Sequence, residues 1–135
     1  TPQDIDLRVD VIKRRDAFDR DPEGYKAQWQ AENDRLQKRI VKARKSLDAV
    51  VVDDEMLTLC ARLCQALGTD GLRAELTLMR AMRALAALQG HKKVKRDHLK
   101  AIAPMALSHR LRRNPLDDTD SSQRVKRCLD DLLAA

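Results

Sequence analysis

The sequence predicts an all-α fold, a helical bundle, and three observations carry that expectation. Apolar residues recur at i, i+3, i+4 and i+7 through most of the chain. Four glycines and four prolines leave little room for hairpins. Aromatic residues make up only 2% of the chain, so its core must be built from Leu, Ala, Val, Ile and Met. A chain of 135 residues, 43% apolar and 36% charged, suits one domain, residues 1–135, with a heavily charged surface.

Taken in order, Thr1 reads as a helix cap, with Pro2 in the first turn and Asp4 three residues on. A helix from about 3 to 18 follows, with Ile5, Val9 and Ile12 on one face and Leu7, Val11 and Phe18 beside it. Arg8, Lys13, Arg14 and Arg15 fall on its wet side. Asp21 and Pro22 restart the chain as cap and first helical residue. From Pro22 to about Leu47, Tyr25 and Trp29 pair at i, i+4, and Leu36, Ile40, Ala43 and Leu47 form a second stripe. The two stripes drift out of phase, so a break near Asn33–Asp34 is expected.

Val50-Val51-Val52 is extended but too short to make a sheet alone. Asp53 or Asp54 caps a helix whose buried face is Met56, Leu59, Cys60, Leu63, Cys64 and Leu67, ended by Gly68. The stretch from Asp70 to Leu88 reads as one long helix, capped through Thr69–Asp70 and closed by Gly90. Its two apolar sets, Leu72, Leu76, Met79 and Leu78, Ala81, Leu85, Leu88, place it in the middle of the bundle. Arg73, Thr77 and Arg80 share one side of it, and an Arg in the first turn of such a helix suggests an anion. A further helix from Arg96 to about Leu107 buries Leu99, Ile102, Ala103 and Ala106, with a bend or break expected at Pro104. Residues 117–122 form an acidic loop, and a last amphipathic segment from Gln123 to Ala134 uses Val125, Leu129 and Leu132 or Leu133.

These residues offer little chemistry of their own. No phosphate-binding glycine loop, metalloprotease helix or nucleophile elbow is present, so no catalytic residue is expected on this chain. Cys60, Cys64 and Cys128 read as reduced packing residues, and His91, His98 and His109 add no ligand pattern to them, so no metal is expected. Arg35, Lys38, Arg39, Lys42, Arg44 and Lys45 give one helix a basic face. No aromatic platform interleaves with them, so a solvated surface is preferred over nucleic acid. No apolar run approaches the roughly 20 residues that span a bilayer, and no signal peptide is visible, which places the chain in the cytoplasm. The opening Thr suggests a piece of something longer.

The run from Gly71-Leu72-Arg73-Ala74-Glu75-Leu76-Thr77 through Leu88 resembles the second-sensor helix of the AAA+ ATPase subunits of magnesium chelatase. Asp6-Leu7-Arg8-Val9-Asp10-Val11 through Asp16 is similar to the segment leaving that family's ATP-binding core. Leu107 through Asp117 resembles its stretch near the C-terminus, although Asn114 stands where the pattern leads one to expect Asp. The likeness spans essentially the whole chain and comes nearest to the bacteriochlorophyll-making version.

The resemblance implies a C-terminal helical lid in a homo-oligomeric ring, without its ATP-binding half. Residues of about 22–47 would hold the helix inserted before the second sensor, 70–89 the sensor helix, and 117–135 a loop and tail helix. Arg73 would be the second-sensor residue, reaching an ATP phosphate of a neighbouring subunit. ATP and Mg²⁺ would serve the intact protein, with none held by this chain alone, and the other chelatase subunits would insert Mg²⁺ into protoporphyrin IX. His109, Arg110, Arg112 and Arg113 carry no assigned chemistry. Two other classes stay open: the lid of a MoxR-like or cobalt chelatase ATPase, and a basic module that binds nucleic acid.

Overall fold

The structure is a computed structural model and describes residues 4–69, 71–111 and 121–134. Among these residues lie six α-helices: α1 (Ile5–Arg20), α2 (Pro22–Ser46), α3 (Asp54–Ala66), α4 (Arg73–Leu88), α5 (Arg96–Leu107) and α6 (Ser121–Ala134). Short 3₁₀ turns follow α2 at Leu47–Ala49 and α5 at Ser108–Arg110. The chain divides into two compact units, residues 1–40 and 41–135, and α2 contributes to both.

The first unit is a helical hairpin. Asp4 caps α1, its carboxylate accepting from the N–H groups of Asp6 and Leu7 at 2.9 and 3.4 Å. Asp4 is therefore the cap rather than a first-turn acid, while Thr1 and Pro2 lie outside the described residues. At the turn, Asp21 closes α1 through its N–H to the Ala17 carbonyl and opens α2 through its carboxylate, which accepts from Gly24 N–H at 3.0 Å. A Cβ on Gly24 would run into that carboxylate, which is why the first turn of α2 takes a glycine. The expected apolar face of α1 is not covered: Ile5 is 75% and Ile12 67% exposed, and Leu7, Val9 and Val11 are also open. No residue of α1 or α2 is fully buried. Nor does α2 break at Asn33–Asp34. Gln30 donates to Asp34 one turn on at 2.9 Å, and no Pro or Gly interrupts the ladder there.

The second unit holds the core. Within it α4 packs on α3 and α5, α5 on α6, and α6 returns to α3. Asp53 caps α3 by accepting from Met56 N–H at 3.0 Å. The predicted face of α3 is buried as expected, with Leu59 half-buried at its edge. From α4 the core takes Ala74, Leu78, Met82, Ala86 and Ala87. Leu72 and Leu76 were expected inside but are 75% and 46% exposed.

Two boundaries also differ from expectation. Thr69 does not open α4: its hydroxyl donates to the Cys64 carbonyl at 3.2 Å and so finishes α3. Asp70 is not described, and α4 starts at Arg73 rather than at residue 70, after Leu72, with no side-chain cap. Pro104 causes no break, and α5 runs on to Leu107. α6 begins at Ser121, within the expected loop, and buries Val125 and Leu129, with Leu132 and Leu133 partly covered. Residues 117–120 of that loop lie outside the described residues.

Val51 is extended, as its β-branched neighbours predicted, and forms one parallel bridge with Lys93. Val51 N–H donates to the Lys92 carbonyl and Val94 N–H to the Val51 carbonyl, both at 2.9 Å. The Lys93–Asp53 and Arg96–Glu55 ion pairs, at 2.6 and 2.7 Å, flank this strap.

Candidate functional site

Arg73 is placed by the turn between α3 and α4. Gly71 sits at φ +69°, a region that L side chains rarely enter, and turns the chain sharply into the helix. The Leu72 carbonyl then accepts from Leu76 N–H at 3.1 Å and starts the ladder. Arg73 is thus the first residue of α4 and its side chain is exposed. Among the described residues no side chain caps this N-terminal turn, which lies at the positive end of the helix dipole. The guanidinium adds a planar set of donors to that end.

Asp70, the acid nearest to it in the preceding turn, lies outside the described residues. Among the described residues no carboxylate forms an ion pair with Arg73. Glu75, in the same turn, is half-buried, and one of its oxygens is shut off from solvent without a partner among the described residues. Its charge lies near the α3 thiols, and it helps to raise both of them. Thr77 lies one turn on from Arg73, and its hydroxyl donates back to the Arg73 carbonyl at 2.7 Å, which fixes the first turn. Arg80 is exposed and Arg83 half-buried, its Nε without a partner. The predicted row of Arg73, Thr77 and Arg80 is therefore present and ends in two exposed guanidinium groups.

The remaining predicted residues lie apart from this row in sequence and role. His109 and Arg110 occupy the turn after α5, with Arg110 Nε buried and without a partner among the described residues, while Arg112 and Arg113 lie outside them. Burial pushes the Cys60 thiol up to about 12, with Cys64 and Glu75 adding to the shift. Burial likewise raises Cys64 and Cys128, so these thiols pack rather than react. Among the described residues no group of three or more His, Cys, Asp and Glu could hold a metal. No helix among them is long and apolar enough to cross a membrane.

One cluster escaped the sequence reading. His98 is 2% exposed and joins α5 to the end of α4. Its Nδ1 accepts from Lys95 N–H at 2.7 Å, so the neutral ring carries its proton on Nε2. Nε2 lies 3.0 Å from both Gln89 Oε1 and His91 Nδ1, two acceptors for that proton. Burial first, then the neighbouring His91 and Lys95, hold His98 below the usual histidine range. The signal was the pair of histidines on either side of a connector, which no helical periodicity links.

Comparisons with known proteins bear on the whole chain. The model of a family described as the AAA lid domain matches residues 57–128, more than half of the sequence. The magnesium-chelatase 38 kDa subunit of Rhodobacter capsulatus is 50% identical over 133 residues, covering 98% of this chain and 38% of that protein. The subunit of the same name from Acidiphilium rubrum is 50% identical over 129 residues, covering 96% and 37%. The chloroplastic magnesium-chelatase subunit ChlI of Nicotiana tabacum is 39% identical over 121 residues, covering 90% and 28%. The chain spans about two fifths or less of the length of these relatives. A solved chain from a reconstruction of the complex between subunits BchI and BchD of magnesium chelatase is 43% identical, covers 93% of this chain and 38% of its own, and has a TM-score of 0.40.

Proposed function

Because the chain belongs to the AAA lid domain family, we propose that it is the lid of a magnesium chelatase ATPase subunit and that Arg73 is its nucleotide-sensing residue. The observation that carries this reading is the 50% identity to a magnesium-chelatase 38 kDa subunit across 98% of the chain. In this proposal residues 1–135 form the lid, with the inserted helix region at about 22–47 and the sensor helix within 70–89. The lid works in a cytoplasmic homo-oligomeric ring, beside the other chelatase subunits, in an ATP-dependent enzyme that inserts Mg²⁺ into protoporphyrin IX for bacteriochlorophyll synthesis.

The start of α4 fits a nucleotide phosphate. Arg73 offers only donors, stands exposed, and shares a helix start that already favours anions. ATP, bound with Mg²⁺ by the ATP-binding half of the intact protein, would supply a γ-phosphate that ADP lacks. Arg73 holds that phosphate from a neighbouring subunit. One charge-assisted contact of this kind is worth about 1.5–3 kcal/mol. A group present in one nucleotide state and absent in the other makes lid position depend on that state. The buried face of α4 ties its first residue to the bundle of α3 to α6, so a pull there is carried into that bundle.

The test is Arg73→Ala in the full-length ATPase subunit. ATPase and chelatase turnover is expected to fall by about tenfold or more while ring assembly persists. Arg73→Lys, which keeps the charge but loses the fork, should recover only part of it. Unchanged turnover with Arg73→Ala overturns the sensor assignment.

A further inference from the structure

We propose that the α1–α2 hairpin carries a docking site for an acidic, partly apolar segment of a partner protein, centred on Trp29. The chain has one Phe, one Tyr and one Trp, and this hairpin gathers all three. Phe18 meets Tyr25 edge to face at 5.9 Å between ring centres, and Tyr25 meets Trp29 at 6.2 Å. With Arg14, Lys26 and Asn33 they line a cleft of about 350 Å³. So aromatic-poor a chain has spent its rings on its least buried unit, where they make an apolar floor rather than a core.

The polar groups around that floor choose the occupant. The Arg14 guanidinium, the Lys26 ammonium and the Trp29 indole can only donate hydrogen bonds. Among the described lining residues there is no carboxylate. Arg14 lies over the Trp29 ring at 5.7 Å. Lys26 reaches Glu23 at 2.9 Å, an exposed pair of small worth that a second acceptor can share. Trp29 Nε1 is shut off from solvent and finds no acceptor among the described residues. A donor left in that state is unfavourable, and a ligand oxygen that reaches it would satisfy it. Two cations and an indole donor, with no carboxylate among the described lining residues and an aromatic floor beneath, suit a carboxylate carried on an apolar body. The cleft is shallow and open, so a small molecule would stay largely wet in it, whereas a peptide can cover it and continue along the hairpin. Leu7, exposed and on the same side of α1 as Arg14 and Phe18, extends the apolar surface for such a partner.

Trp29 is the only tryptophan, so its emission reports this site alone. The full chain is titrated with a blocked six-residue peptide of four glutamates flanking a Leu-Phe pair, with the same peptide carrying four glutamines, and with sodium benzoate. The glutamate peptide is expected to shift Trp29 emission saturably, and the glutamine peptide to bind about tenfold or more weakly. Arg14→Gln should weaken the glutamate peptide by a similar factor with the helical circular dichroism unchanged. Should Arg14→Gln disturb the hairpin, Lys26→Gln, further from the rings, is expected to weaken binding about threefold or more. Equal binding of the two peptides, no saturable change up to about 1 mM, benzoate binding as tightly as the peptide, or full affinity in both variants would overturn the proposal.

Discussion

The hairpin of α1 and α2 and the bundle of α3 to α6 use the same alphabet to different ends. Both show apolar residues at helical spacing, yet the hairpin buries none of its residues fully, while the bundle closes over Leu63, Leu78, Met82, Leu99, Leu107 and Val125. Periodicity states which side of a helix is apolar; it does not say whether this chain supplies the cover. In the bundle four helices supply it for one another. In the hairpin the apolar side of α1 is left as surface, and the aromatic rings furnish its one local cluster.

Substitutions should separate the two regions. Leu78→Ala in α4 removes a fully buried side chain and is expected to lower stability by about 2–5 kcal/mol. Ile12→Ala in α1, two-thirds exposed, should stay within about 0.5 kcal/mol. Paired urea titrations check both, and comparable losses would break the contrast.

The connector between α4 and α5 should be the acid-sensitive part of the bundle. His98 titrates below its ordinary 6.5 in the folded state, so between those two values the unfolded chain binds more protons. Stability is therefore complete above pH 6.5 and falls as pH drops through the folded value. Protonation of Nδ1 also removes the acceptor for Lys95 N–H. Urea midpoints from pH 7.5 to 5 should show the decline, and His98→Gln should flatten it after an initial loss of about 1–3 kcal/mol.

Asp21→Ala should lower the stability of α2 by about 0.5–2 kcal/mol, seen as faster amide exchange at Gly24 and Tyr25. The smallest effect is chemical. With Cys60 pushed up to about 12, a thiol reagent should leave it unmodified in the folded chain at pH 8 and modify it quickly in urea.

Much of this was legible in the sequence. The α3 face was, because Met56, Cys60, Leu63 and Cys64 repeat at one spacing against polar neighbours. Asp21 and Pro22 were, because cap chemistry is local. The exposure of Leu72 and Leu76 was not. α4 is apolar nearly all round, so its composition does not single out the side, Ala74, Leu78, Met82, Ala86 and Ala87, that its neighbours cover. Thr69 was assigned to the wrong helix because a hydroxyl between two helices serves either end, and only geometry decides. For the candidate site, the sequence placed Arg73 at a helix start; that Glu75 turns inward instead of pairing with it needed the packing of α3.

The approach to Arg73 is selected by chirality rather than by room. Apart from its chain neighbours, none of the described residues lies within 4 Å of where a Cβ on Gly71 would stand, yet φ there is +69°. An L-alanine would meet open space and still strain its own backbone by about 1 kcal/mol or more. A D-alanine, installed by chemical ligation, would rest in its natural basin and stiffen the entry to α4. Two mirror-image methyl groups at one position should therefore move the melting temperature in opposite directions.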